Sequence, residues 1–139
     1  MDIRHLNLSD WDTFFPLHSS YKEAIGETVP TADEQNRLKH AIEAKQILFF
    51  GCFDDGKPVG CCSVSLIFST FCYGSCGIFE DFYIKPEYRH KGIARALVQF
   101  AYETSGVSSM TVGCADCDRK MYESLGFSVP IGNLLAFRI

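Results

Sequence analysis

The sequence lacks any long apolar run. None of its 139 residues lies in a stretch approaching the roughly 20 apolar residues that a membrane-spanning helix requires. Residues 1–4 are not followed by the apolar region of a secretory signal. We therefore expect no membrane association, no secretion and a cytoplasmic location.

The sequence also has little positive charge. It contains 13 Lys and Arg against 17 Asp and Glu, so the formal net charge is -4. A general nucleic-acid binder needs a basic surface, so nucleic acid is not an expected partner. The basic residues that do cluster are Arg89, His90 and Lys91.

Regular cysteine spacing is missing as well. The seven cysteines are an odd number and cannot all pair with one another, so we interpret them as reduced thiols in strands and core. Cys114 and Cys117 have C-x-x-C spacing, but the second C-x-x-C or the H-x-x-x-H that would complete a zinc site is absent. We expect no metal here; a zinc or redox site at this pair is the disfavoured alternative.

The composition that remains is that of an ordinary globular chain. Hydrophobic residues make up 47% and charged residues 22%, and the length suits one domain better than two. No repeat, linker or low-complexity segment interrupts it. Periodicity and turn residues predict the order β, α, α, β, β, β, α, β, α, β, a mixed α/β single domain over residues 1–139.

Local signals place the elements. Strands are predicted over residues 2–8, 47–53, 58–69, 71–84 and 107–113, with one or two more in 127–139, of which 134–139 is the clearer. Helices are predicted from Trp11, over 31–45, from residue 92 or 93 to 104, and over 118–125, and residues 21–30 are predicted to form a loop. Ser9 or Asp10, Thr31 and Asp118 are the expected helix caps. Asp55-Gly56 predicts a tight turn, and Gly74 and Gly77 predict a bulge or a close backbone approach.

The most informative stretch is EDFYIKPEYRHKGIARAL, residues 80–97. It reads as a strand, a basic loop that pivots on Gly92, and the start of a helix. A glycine loop that enters a helix presents free N–H groups and the positive end of the helix dipole. The stretch therefore predicts an anion site, and phosphate is the usual anion.

This stretch resembles the acetyl-CoA-binding motif of the GNAT acetyltransferases, [R/Q]-x-x-G-x-[G/A], which appears here as Arg89-x-x-Gly92-x-Ala94. The flanking PEYR and GIARAL are similar to that family too, and the order of elements resembles the GNAT fold over essentially the whole chain. The resemblance implies an α/β (α+β) GNAT-like domain with a mixed central sheet flanked by helices. It also implies acetyl-CoA as the cosubstrate.

The resemblance assigns the cofactor-binding residues. Residues His90 to Arg95 would supply N–H donors to the pyrophosphate, and a side chain at Gly92 would crowd it. Backbone groups of residues 82–84 would pair with the pantetheine arm, and one of their N–H groups would polarise the thioester carbonyl. The predicted set is Phe82, Tyr83, Ile84, Arg89, His90, Lys91, Gly92, Ile93, Ala94 and Arg95.

Glu80 is the candidate general base. A lysine-like amine with a pKa of about 10.4 is neutral in roughly one molecule of 2,500 at pH 7, so a base must remove its proton. Burial among neighbouring aromatic residues would raise the pKa of Glu80 toward useful values. Glu80-Asp81-Phe82 resembles the "EDF" of diamine acetyltransferases, and strand alternation predicts that Glu80 and Asp81 point to opposite faces. The alternative is a strand-end carboxylate bound to water or an arginine.

Tyr122 is the candidate general acid. MYESLGF, residues 121–127, resembles the family's LYEKLGF, whose tyrosine protonates the departing thiolate. The alternative is a core tyrosine with its hydroxyl on backbone. The family's pattern is not complete, because Ala115 stands where an asparagine is common and Asp118 where an alanine is usual.

The sequence predicts an N-acetyltransferase that moves an acetyl group directly to a primary amine, with a small cationic amine preferred as acceptor. The acidic residues near the expected cleft favour a cation: Glu23, Glu27, Glu80, Asp116 and Asp118. A non-catalytic acetyl-CoA sensor and acetylation of a protein amine remain alternatives. A homodimer through the exposed strand edges near Phe68 to Tyr73 is a further possibility, and His18 is expected to serve packing or the surface rather than catalysis.

Overall fold

A five-stranded mixed sheet forms the centre of the computed structural model, which describes residues 1–138. The strands are β1 (Asp2–Leu6), β2 (Ile47–Asp54), β3 (Lys57–Ser69), β4 (Gly74–Ile84) and β5 (Ser109–Val112). They lie in the order β1-β2-β3-β4-β5. Neighbours are antiparallel except for β4 and β5, which run parallel because α3 crosses over between them.

Helices cover both faces of the sheet. They are α1 (Trp11–Ala24), α2 (Ala32–Glu43), α3 (Ile93–Ser105) and α4 (Arg119–Ser124). On the α1–α2 face the buried cluster consists of Leu6, Trp11, Phe14, Phe49 and Phe53. On the α3 face a larger buried cluster includes Phe50, Val64, Phe79, Leu97 and Ala101. The predicted α/β domain with a mixed sheet flanked by helices is therefore confirmed.

Several local predictions are confirmed by geometry. Asp55 and Gly56 both have positive φ, 49° and 76°, as the tight turn between β2 and β3 requires. The side chain of Thr31 accepts the N–H of Glu34 and so caps α2. Gly77 marks a close approach, because a Cβ there would lie 2.6 Å from a methyl group of Val64.

The first helix differs from its prediction at both ends. A short 3-10 turn, Leu8–Asp10, precedes α1, and it is capped by Asn7, whose side chain accepts the N–H of Ser9. Asp10 occupies the predicted cap position before α1, but its side chain makes no cap bond to that helix. At the other end α1 continues to Ala24, so Tyr21 lies on a helix and not in a loop. Pro16 sits inside α1 without ending it.

The predicted final strands are not formed within residues 127–138, and Ile139 lies outside the described residues. The prediction was wrong there because a strand needs a pairing partner, and this segment pairs with none of the five strands. From Val129 onward its large apolar side chains are exposed; Leu134 is 95% accessible and Phe137 is 87% accessible. Among residues 1–138, no helix combines the length and apolar character needed to span a membrane.

Candidate active site

The sheet opens between β4 and β5. Parallel pairing joins Cys76–Phe79 to Ser109–Val112 and stops there, whereas β4 continues to Ile84. One edge of residues 80–84 therefore has no strand partner within residues 1–138. An extended ligand can bind such an edge as an added strand. The predicted pantetheine-contacting residues 82–84 lie along this opening.

A basic loop and the start of α3 follow the end of β4. His90 and Gly92 both adopt positive φ, 60° and 81°, and α3 begins at Ile93. No side chain caps this helix, so its first N–H groups are free to bind an anion at the positive end of the helix dipole. Ile93 is buried, which anchors the first turn of the helix to the core.

The basic side chains of the loop also bind the protein itself. Arg89 donates from Nε to the carbonyl oxygen of Ile84 at 2.9 Å, which joins the loop to the end of β4. Arg95 donates from Nη2 to the carbonyl oxygen of Ser124 at 2.8 Å, which joins α3 to α4. The structure thus brings residues 82–84 and 89–95 to one end of the opening.

A β-bulge changes the predicted directions of Glu80 and Asp81. Across β3 and β4, Glu80 pairs with Ser63 but Tyr83 pairs with Cys61, so β4 carries one extra residue. Asp81 has a φ of 54°, and its carboxylate accepts a hydrogen bond from the side chain of Ser63. Both carboxylates therefore lie on the α1 face, and the prediction of opposite faces was wrong because simple alternation fails at a bulge.

The environment of Glu80 raises the pKa of its carboxyl. Partial burial is the main cause and the neighbouring charge of Asp81 adds to it, whereas the ammonium of Lys22 acts in the opposite direction. A carboxylate with a raised pKa is a stronger base. The side chain keeps contact with solvent, so protons taken up by Glu80 can leave to water.

Tyr122 on α4 lies beside the opening. Its ring centre is 6.2 Å from that of Phe82. Burial, followed by the charges of Asp118 and Cys114, raises the pKa of Tyr122, so its hydroxyl stays protonated at neutral pH. Asp118 occupies the position before α4 but makes no side-chain cap bond there, contrary to prediction.

Two residues of α1 reach this region and were not singled out from the sequence as site residues. The pKa of Tyr21 is raised to about 12, mainly by burial and next by the charge of Asp81. The nearby phenol of Tyr122 raises it further. His18 is buried in aromatic packing, which is one of the two roles expected for it, and its Nδ1 lies 3.9 Å from Oδ1 of Asp81.

The signal for the bulge of β4 was present in the sequence, because apolar residues at 79, 82 and 84 break the alternation of a regular strand.

The C-x-x-C pair gives no sign of a site. Cys114 and Cys117 are both exposed free thiols. Within residues 1–138, no group of three or more His, Cys, Asp or Glu is arranged to hold a metal ion.

The sequence was compared with protein-family models and with curated proteins. A family model described as "Acetyltransferase (GNAT) domain" matches residues 45–129, more than half of the chain. A search of curated proteins finds no match.

Solved structures resemble the chain over its whole length. An aminoglycoside acetyltransferase from an uncultured soil metagenomic sample, in complex with sisomicin, has a TM-score of 0.85 at 12% identity, with 99% of this chain and 95% of that chain covered. A predicted acetyltransferase from Clostridium acetobutylicum with acetyl-CoA has a TM-score of 0.80 at 12% identity and the same coverage. A ribosomal-protein-alanine N-acetyltransferase from Brucella melitensis biovar Abortus 2308 has a TM-score of 0.76 at 23% identity, with 100% and 99% covered. These likenesses confirm the predicted fold.

Proposed function

Because the chain belongs to the acetyltransferase (GNAT) domain family, a family of N-acetyltransferases, we propose that it transfers an acetyl group from acetyl-CoA directly to a small cationic amine. The opening between β4 and β5 is the observation that carries this proposal. It has an uncapped helix N-terminus at one end and the side chains of Glu80 and Tyr122 beside it.

Acetyl-CoA fits the residues at the opening. The unpaired edge of residues 82–84 suits the pantetheine arm, and the free N–H groups at the start of α3 suit the pyrophosphate. Gly92 leaves open space in front of the loop, since a Cβ there would meet no protein atom within 4 Å. The solved complex of the Clostridium relative with acetyl-CoA supports the same cosubstrate.

Glu80 and Tyr122 divide the proton transfers. Glu80, directly or through water, removes a proton from the ammonium, and the neutral amine forms the new N–C bond at the thioester carbonyl. A backbone N–H among residues 82–84 stabilises the negative charge on the carbonyl oxygen. The C–S bond then breaks, and the CoA thiolate takes a proton from Tyr122. The nitrogen releases its second proton, which passes through water to the Tyr122 phenolate and leaves a neutral amide. The raised pKa values of both residues suit a base and a protonated donor at neutral pH.

The acidic surroundings support a cationic acceptor. Glu80 and Asp81 are adjacent on one face, and no Lys or Arg of residues 1–138 forms an ion pair with either of them. A positively charged amine would complement this charge. The aminoglycoside and the ribosomal-protein alanine named for two relatives are both amines, and they define the range of acceptors to test.

An amine panel tests the proposal. The panel contains spermidine, sisomicin and a peptide with an N-terminal alanine, and mass spectrometry detects the acetylated product. This readout avoids thiol reagents, which would label the exposed Cys72, Cys114 and Cys117. We expect product from spermidine or sisomicin in excess of the peptide. If no amine is acetylated while acetyl-CoA binds tightly, the chain is a sensor of acetyl-CoA and the proposal is wrong.

Three further proposals accompany this function. Residues 1–139 form one acetyltransferase domain. The seven free cysteines of the structure suit a reducing compartment such as the cytoplasm. A second copy of the chain docks near the exposed Phe68, Phe71 and Tyr73 at the turn between β3 and β4, and light scattering measures this directly.

A further inference from the structure

A polar arrangement outside the proposed proton transfers lies between α1 and the bulge of β4. Ser63 donates a hydrogen bond from Oγ to Oδ2 of Asp81 at 2.5 Å. The other oxygen of that carboxylate, Oδ1, faces Nδ1 of His18 at 3.9 Å. Asp81 is therefore held through one oxygen while the second is directed toward α1.

The histidine nitrogen that faces Asp81 is buried and unsatisfied. His18 is 4% exposed, and its ring is surrounded by those of Phe14, Phe15, Tyr21 and Phe49. Its Nδ1 has no hydrogen-bond partner among residues 1–138. Buried polar atoms of this kind normally have a partner. The 3.9 Å separation from Asp81 is too long for a hydrogen bond, but one nitrogen about 2.9 Å from each atom would bond to both.

The charges around this gap favour a cation with several N–H groups. Asp81 and the adjacent Glu80 place two carboxylates on one face. The nearest lysine of α1, Lys22, forms its ion pair with Glu27 at 3.1 Å instead. Neutral His18 can accept a hydrogen bond on Nδ1, and burial lowers the pKa of His18, which keeps it neutral. An ammonium group meets both requirements, because it carries positive charge and donates up to three hydrogen bonds.

We propose that Asp81 binds the ammonium group of the acceptor, with Ser63 and His18 as positioning residues, while Glu80 takes the proton. This inference rests on the proposed function and adds a division of labour between the two carboxylates. The bulge is essential to it, because without the extra residue Asp81 would not share a face with Glu80.

The substitution Asp81→Asn tests the role of the charge at constant size. We expect the KM for spermidine to rise about tenfold or more, with a smaller change in kcat, because a charge-assisted hydrogen bond is lost. Hydroxylamine, an amine that is uncharged at neutral pH, serves as the second acceptor, and its kcat/KM should fall much less than that of spermidine. The matched control is Asp12→Asn, which removes an exposed carboxylate elsewhere on α1 and should leave both acceptors unaffected.

His18→Phe and Ser63→Ala test the positioning residues. Each should raise the KM for spermidine about threefold to tenfold while the rate with hydroxylamine and the binding of acetyl-CoA stay unchanged. A merely structural defect would impair both acceptors alike. These two variants also keep the test decisive if Asp81→Asn fails to fold, as judged by acetyl-CoA binding.

Direct binding separates this inference from the proposed function. Calorimetry measures spermidine binding to the CoA complex of the wild-type protein and of Asp81→Asn. If wild type acetylates no amine but binds spermidine, and Asp81→Asn does not bind it, the ammonium site stands and the proposed function fails. The inference is overturned if both proteins bind spermidine equally, if neither binds it, or if the KM for spermidine is unchanged by Asp81→Asn.

Discussion

Gly92 and Gly106 form a matched pair at the two ends of α3, and substitution of each by alanine isolates the role of the basic loop. Both have positive φ, 81° and 68°, and a Cβ at either position meets no protein atom within 4 Å. The two substitutions therefore place the same strain on the folded protein. They differ in that Gly92 lies at the proposed pyrophosphate site, whereas Gly106 ends the same helix on the opposite side.

The expected magnitudes follow from this geometry. A left-handed conformation costs a non-glycine residue about 1–2 kcal/mol, and the reduced entropy of the unfolded chain offsets about 0.4–1 kcal/mol of that. Each variant should therefore lose about 1 kcal/mol of unfolding free energy. Gly92→Ala should in addition weaken acetyl-CoA binding about 10- to 150-fold, which is the loss of one charge-assisted hydrogen bond of about 1.5–3 kcal/mol.

Two measurements check this prediction. Urea titration gives the unfolding free energy, and calorimetry gives the Kd for acetyl-CoA. Equal stability losses together with weaker binding in Gly92→Ala alone would support the loop as the phosphate site. If Gly92→Ala binds acetyl-CoA as tightly as Gly106→Ala, the loop does not hold the pyrophosphate.

Three further predictions concern the acid, the core and the pH dependence of stability. Tyr122→Phe should lower kcat about 100-fold or more with the Kd for acetyl-CoA within twofold, since only a proton donor is lost; an unchanged kcat in steady-state assays would remove Tyr122 from the mechanism. Gly77→Ala should lower the unfolding free energy by about 1–3 kcal/mol, because its Cβ would lie 2.6 Å from a valine methyl group of β3. Gly113→Ala, where a Cβ meets nothing, should stay within about 0.5 kcal/mol in the same urea titration, and equal losses would contradict the packing argument. Burial lowers the pKa of His18 in the folded state, so its contribution to stability is complete above the unfolded pKa of about 6.5 and is lost as pH falls below it. Wild type should therefore lose more unfolding free energy than His18→Phe between pH 7.5 and 5.5, and parallel curves would refute this.

The elements that depend on neighbouring residues in the chain were predictable from sequence. The cap at Thr31, the turn at Asp55-Gly56 and the glycine that ends α3 each act within a few residues. The basic loop belongs to the same class, because its glycine and the helix that follows are adjacent in sequence. Local chemistry was therefore enough to predict the loop that we propose as the donor side of the candidate site.

The side proposed for the acceptor depends on contacts between distant residues and was not predictable in the same way. His18 and Tyr21 reach Asp81 because α1 packs on β4, some 60 residues further along the chain. Glu80 and Asp81 share a face because of one extra residue, which a period of two does not register. The missing final strands have the same origin, since pairing needs an edge that the apolar pattern alone does not supply.

The bulge links two properties of β4 that would otherwise vary independently: the second carboxylate on its α1 face and the point where it stops pairing with β5. If Asp81 were removed, the remaining residues of β4 would alternate regularly, with Phe79, Phe82 and Ile84 still on the α3 face and Glu80 and Tyr83 still on the α1 face. The extra residue therefore adds a carboxylate without altering the core. A bulge also bends its strand, and β4 stops pairing with β5 at Phe79, immediately before it. Deletion of Asp81 should straighten β4, extend its pairing with β5 and close the opening proposed for the donor. The same deletion removes the carboxylate proposed for the acceptor, so one change would affect both halves of the proposed site.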